Sequence, residues 1–128
     1  MNKINVGQMF EDKEEIYEVL GIPSKSIRRA MKKIENKDDT IIWTGANGLA
    51  DNGCINTLNE DETILIQTHI DPEPSSEEKF EYKYWIVFMP KENTQHKPYF
   101  FKGVFEFIEI EDNKRIHKRV QTSLDVPV

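Results

Sequence analysis

The stretch YFFKGVFEFIEI, residues 99 to 110, constrains the fold more than any other part of the chain. Phe101, Gly103, Phe105 and Phe107 keep one parity, whereas Ile108 and Ile110 take the other. Alternation marks a strand with one packed face, because successive side chains leave a pleated strand on opposite sides. A break in the alternation predicts a β-bulge, and with it a bend that curls a sheet towards a barrel. Gly103 suits the same bend.

The chain from residue 40 onward fits this reading. Strands are expected at Thr40–Thr44, Thr63–His69, Tyr82–Met89, Tyr99–Ile110 and Arg115–Leu124. In the last of these, Ile116, Val120, Thr122 and Leu124 share one side, with Arg115, His117 and Arg119 opposite. Residues 71 to 81, DPEPSSEEKFE, hold two prolines, two serines and five acids and read as an exposed loop. Before residue 39 the pattern is helical. Residues 10 to 21 form a short helix, with Asp12 and Glu15 as a capping box, Ile16, Val19 and Leu20 as the apolar stripe, and Gly21 and Pro23 ending it. A second helix is predicted from Ser24 or Ser26 to about Asn36, with Ile27, Ala30, Met31 and Ile34 on one face. The expected class is α+β in a single domain, 1–128. Two N-terminal helices within 1–38 lead into a curved, mostly antiparallel sheet or partly open barrel over 39–124.

Charge narrows the partners. The net charge is −6, with acids clustered at Glu11–Glu18, Glu60–Glu62, Asp71–Glu81 and Glu106–Asp112. Bases gather in two places only: Lys25, Arg28, Arg29, Lys32 and Lys33, and then Lys114, Arg115, Lys118 and Arg119 around His117. The longest apolar run, Trp85–Met89, is too short to span a bilayer, and the N-terminus has no basic-then-apolar signal pattern. Cys54 is the one cysteine, so no internal disulfide forms, and a reducing, cytoplasmic compartment is expected.

No catalytic constellation stands out. His69, His96 and His117 lie on separate segments, and a surface or cross-strand role is expected for each. An acid followed by acid-x-lysine, at Asp71, Glu77–Lys79 and Glu81–Lys83, loosely echoes a magnesium nuclease. The same spacing recurs at Glu11–Lys13 and Asp112–Lys114, as chance predicts in a chain with 31% charged residues. No catalytic residue, metal ligand or cofactor is assigned, and the chain reads as a binding module more than as an enzyme.

Binding features are stronger. Tyr99, Phe100 and Phe101 are consecutive, so both faces of that strand carry rings, and an exposed ring is a stacking platform for a base. Beside two cationic patches, this points to nucleic acid. The loop in IIWTGANGLADNGC, residues 41 to 54, is rich in glycine and asparagine. Such a loop either turns a corner or lets the backbone approach a ligand.

The order of VGQMF, IIWTGANG, PYFFKGVFEF and a basic final strand resembles the SRA (SET- and RING-associated, or YDG) domain. It is similar also to the SRA-like N-terminal domains of HNH-type modification-dependent restriction enzymes. The resemblance implies a PUA-like curved barrel that binds DNA and holds a flipped base in an aromatic-lined pocket. On that reading Lys25, Arg28, Arg29, Lys32, Lys33, Lys114, Arg115, Lys118 and Arg119 meet the nucleic acid. Gly45 and Gly48 let the loop backbone approach it, Asn47, Asn52 and Asn56 supply polar contacts, and Trp43, Tyr99 and Phe101 form the stacking pocket. The aspartate of the Tyr-Asp-Gly signature is replaced by Lys102, whose ammonium accepts no hydrogen bond. The implied role is a DNA-binding reader of a modified or flipped base in bacterial or phage restriction. Cleavage then comes from a partner nuclease or another protein subunit. The alternative is an acidic protein-interaction module from a phage or mobile element, which occupies a host or defence protein.

Overall fold

The computed structural model describes residues 2–21, 31–33, 39–46, 48, 50–51, 54–69, 83–91, 94 and 97–126. Its elements are β1 (Asn2–Asn5), β2 (Met9–Phe10), α1 (Lys13–Val19), β3 (Met31–Lys33), β4 (Thr40–Thr44), β5 (Ala50–Asp51), β6 (Cys54–Leu58), β7 (Ile64–His69), β8 (Tyr84–Met89), β9 (Tyr99–Glu111), β10 (Lys114–Gln121) and β11 (Ser123–Val126). β1 pairs with β11, and a nine-stranded sheet runs β3-β4-β8-β9-β10-β7-β6-β5, with β2 on β9. β4 and β8 are parallel, and the other pairs are antiparallel.

Chain length forces this sheet to curl. Six strand intervals separate β4 from β5, about 29 Å across a flat sheet at ~4.8 Å each. Thr44 and Ala50 are only six residues apart, a reach of at most ~21 Å. The connection is possible only if the sheet rolls up, and it forms a strongly curled half-barrel. Gly48 N–H donates to the Asn56 carbonyl (2.7 Å), which fastens the loop after β4 to β6.

The bends lie where the pattern breaks. Between β9 and β10 the register shifts so that Ile108 has no cross-strand partner, as the lost alternation predicts. A second shift opposite Val87 and Phe88 leaves Lys102 extra on β9, beside Gly103 at φ +117. A Cβ on Gly103 would meet Arg119 Cδ at 2.5 Å and the Gln121 carbonyl at 2.7 Å. Both the dihedral and the space demand glycine there.

The sheet has two covered faces. On one, Ile42, Ile86, Phe88, Phe101 and Val104 pack with Ile4, Phe10, Ile16, Tyr17 and Val126. α1 covers this face. Its cap is the predicted one, with Asp12 Oδ1 accepting from Glu15 N–H at 2.9 Å. The Val6–Phe10 segment joins the same layer. Gly7 N–H donates to the Phe101 carbonyl (2.9 Å), Phe101 N–H to the Gln8 carbonyl (3.0 Å), and Phe10 meets Phe88 edge-on. Two of the segments that carry the family resemblance are therefore direct neighbours. The far face holds Ile41, Trp43, Leu65, Trp85, Val87, Met89 and Phe105.

One expectation is corrected. Within the span expected for a second helix, Met31–Lys33 is instead a strand that pairs with β4, Met31 opposite Trp43 and Lys33 opposite Ile41, and the rest of that span lies outside the described residues. Edge pairing supplies partners for the β4 backbone, and this tertiary demand overrides the local 3.6-residue pattern. The N-terminal part thus contributes one helix among the described residues, together with strands. On β10 the packed side is the one carrying Arg115 and His117, while Val120 is exposed. The acid-rich loop at 71–81, with the nuclease-like spacing, lies outside the described residues.

Candidate nucleic-acid interface

Register alone brings a polar group together on the far face. Asn56 pairs with Gln67, Gln67 with Arg115, and Arg115 with Ile110. The adjacent row runs Leu58, Leu65, His117 and Phe107. Directly opposed residues share a face, so Asn56, Gln67, Arg115 and His117 all stand with the two tryptophans. All four are buried, Arg115 at 2% and His117 at 0% exposure.

Aromatic rings border the His117 and Arg115 end of these rows. Trp43 stacks on Trp85 with centroids 5.5 Å apart at 24°, and Trp85 lies 4.2 Å from the His117 ring. Phe107 meets His117 edge-on, and the Arg115 guanidinium lies 4.5 Å from the Phe107 centroid. Gly45 makes room for this stack, because a Cβ there would run into the Trp43 indole.

Several of these groups have no hydrogen-bond partner among the described residues: Asn56 Oδ1, Trp85 Nε1 and both His117 nitrogens. Each such buried group forfeits about 1–3 kcal/mol until something pairs with it. Burial, and secondarily the Arg115 charge, lowers the His117 pKa to about 3, so the imidazole is neutral and offers one donor and one acceptor. Burial also lowers Arg115, to about 10, which leaves it charged at neutral pH.

The residues named from sequence divide by the pleat. Lys114 and Lys118 are exposed on the opposite side of β10 from Arg115, whereas Arg119 is half-buried and its Nη1 donates to the Lys102 carbonyl (3.5 Å). Lys32 and Lys33 lie on β3 at the sheet edge. Lys25, Arg28, Arg29, Asn47 and Asn52 lie outside the described residues. The Gly45 amide donates to Phe88 and the Gly48 amide to Asn56, so both amides are already committed within the fold. The stacking trio does not converge. Phe101 is enclosed in the core under α1 with half-buried Tyr99 packed against it, and the sheet separates both from Trp43. Trp85, His117 and Gln67 carry no site expectation from sequence, whereas Asn56 is an expected polar contact. The signal available for His117 was its parity with Arg115 on a strand whose other side held Ile116 and Val120.

Lys102 is elsewhere: its Nζ pairs with Glu62 at 2.9 Å and lies 5.9 Å from the Phe100 ring centroid. The signature position therefore carries an ion pair.

No curated protein matches this chain. Among solved structures, the 5-hydroxymethylcytosine-specific restriction enzyme AbaSI superposes with a TM-score of 0.79 at 21% identity, over 95% of this chain and 42% of that one. The chain thus spans less than half of that enzyme. The sequence profile of the SET and RING associated domain matches residues 2–126, end to end across the curled sheet just described, and the chain belongs to that family.

Proposed function

We propose that this chain is a DNA-reading module that takes a modified base, everted from the duplex, against the far face of the sheet. The observation that carries the reading is the set of buried, unpartnered polar atoms on the face that Trp43, Trp85 and Phe107 share. Counted together they offer two donors, Trp85 Nε1–H and one His117 N–H. They offer two acceptors, Asn56 Oδ1 and the other His117 nitrogen. A cytosine edge presents the complement: an amino group with two N–H donors, and N3 and O2 as acceptors. Thymine presents one N–H and two carbonyls, and would leave one acceptor of the site unpaired. The tryptophans replace the stacking that eversion removes.

The similarity to a 5-hydroxymethylcytosine-specific enzyme supports a 5-modified cytosine as the ligand and a restriction setting. Lys114 and Lys118, on the opposite side of β10 from the buried polar atoms, hold phosphates of the duplex flanking the everted base, helped by the cationic stretch at Lys25, Arg28, Arg29, Lys32 and Lys33. Cleavage is supplied by another domain or subunit. Exposed Ile108, Ile110 and Val120, beside Glu109 and Glu111, favour contact with such a protein partner.

Fluorescence anisotropy tests the reading with duplexes that carry one cytosine, 5-methylcytosine or 5-hydroxymethylcytosine. A modified duplex is expected to bind tightest, and Asn56→Leu to erase the preference while leaving most of the unspecific affinity. Absence of DNA retention at about 50 mM salt, where phosphate contacts are strongest, would overturn it.

A further inference from the structure

Three irregularities meet at one level of the half-barrel. β9 bulges at Lys102, β10 has an extra residue at Val120, and the β6–β7 turn places Glu62 at φ +61. Lys102 on β9 reaches past β10 to this turn, where its Nζ meets Glu62 Oε2 at 2.9 Å. Arg119 of β10 lies between them. Its side chain packs where Gly103 has no Cβ, its Nη1 donates to the Lys102 carbonyl, and its N–H donates to the Thr63 carbonyl (2.8 Å). The ion pair is partly sheltered, with the side chains 17% and 36% exposed, so it is screened less than a pair in open solvent. It ties together two parts of the sheet that carry opposite walls of the site. β9 is continuous with β8 and β4, which bear Trp85 and Trp43, and the turn leads into β6 and β7, which bear Asn56 and Gln67.

We infer that Lys102 and Glu62 form a strut that sets how far the sheet curls, and with it the spacing between the tryptophan wall and the Asn56–Gln67 wall. Both are positioning residues: neither touches the base, and each acts through the walls that it joins. The inference rests on the base-reading proposal for its functional consequence, but its structural content stands apart. A site that selects a base by hydrogen bonds tolerates displacements of only about 0.5 Å, so a small change in curl is felt as lost selectivity before it is felt as unfolding.

The test uses the whole chain and three variants: Lys102→Met, which keeps the stem and removes the charge, Glu62→Gln, and the reversed pair Lys102→Glu with Glu62→Lys. Selectivity is read as the ratio of affinities for 5-hydroxymethylcytosine and unmodified duplexes, alongside the midpoint of thermal unfolding. Each single variant is expected to lower the ratio about tenfold, with the double variant restoring most of it, as coupled contacting residues do. Amide hydrogen exchange at Asn56 and Gln67 gives a readout independent of DNA. It should quicken in Lys102→Met and recover in the reversed pair. An unchanged ratio and unchanged exchange in Lys102→Met, or no recovery in the reversed pair, would overturn the strut. If the wild-type chain shows no selectivity, the base-reading proposal fails, and the exchange measurement alone decides the strut.

Discussion

His117 is the residue whose chemistry differs most from what its sequence setting implies. Set among four cations on a strand, it reads as a surface or cross-strand group, yet it is fully enclosed beside Trp85. Its pKa falls from 6.5 to about 3, chiefly by burial, so between those values the unfolded chain binds a proton that the folded chain does not. Stability therefore rises with pH across that window and is level above 6.5. The part between pH 5 and 6.5 lies above the usual carboxylate range and isolates the histidine. Urea unfolding at a series of pH values should show this slope in the wild type and its loss in His117→Phe. An equal slope in both proteins would place the histidine in water. No sequence rule reveals such burial, because alternation identifies which residues share a side but not which side is packed. Arg115 and His117 won the interior because their rows end on Gln67, Asn56 and Leu65, and these partners are visible only once register is known.

At the level of elements, the long strand was the most legible part of the chain. The parity break at Phe107 and Ile108 gave a bulge at Ile108, and the predicted limits of β4, β7 and β8 lie within two residues of those found. Glycine in the second bulge has a measurable consequence. Gly103→Ala combines a positive φ with overlap on Arg119 and the Gln121 carbonyl, whereas Gly7→Ala at φ +96 meets nothing within 4 Å. The first should destabilise by about 3 kcal/mol, since strain and steric overlap add, and the second by about 1 kcal/mol from the dihedral alone. Chemical denaturation of the two variants checks the order, and a larger loss in Gly7→Ala would refute it. Short strands were the illegible ones. β5 and β6 sit inside a run of glycine, asparagine and polar residues, and β3 inside a helical repeat. Each is fixed by a neighbour's open backbone and not by its own pattern.

Considered as a whole molecule, the chain combines a net charge of −6 with a proposed polyanionic ligand, and the two are compatible only if the cations are local. Lys114 and Lys118 are exposed on one side of β10, so replacing both by alanine should reduce the slope of log affinity against log salt by about 2. It should do so equally for modified and unmodified duplexes, whereas Asn56→Leu should alter selectivity and leave the slope alone. Titrations at four salt concentrations separate the two, and a change of selectivity in the lysine variant would contradict this division of labour. The family and the curl were legible from motif order and the bulge. The site was not, because its residues come from six strands and only the pairing sets them side by side.

The parallel pair β4–β8 has a consequence for how the molecule comes into being. Thr40 and Tyr84 are 44 residues apart, while the β9–β10 and β6–β7 hairpins join near neighbours. Ring closure becomes entropically dearer as the enclosed segment lengthens, so the hairpins precede the parallel pair in assembly. Trp43 comes to rest on Trp85 only when that seam closes, which makes the indole–indole contact a natural fluorescent reporter of long-range pairing as distinct from hairpin formation.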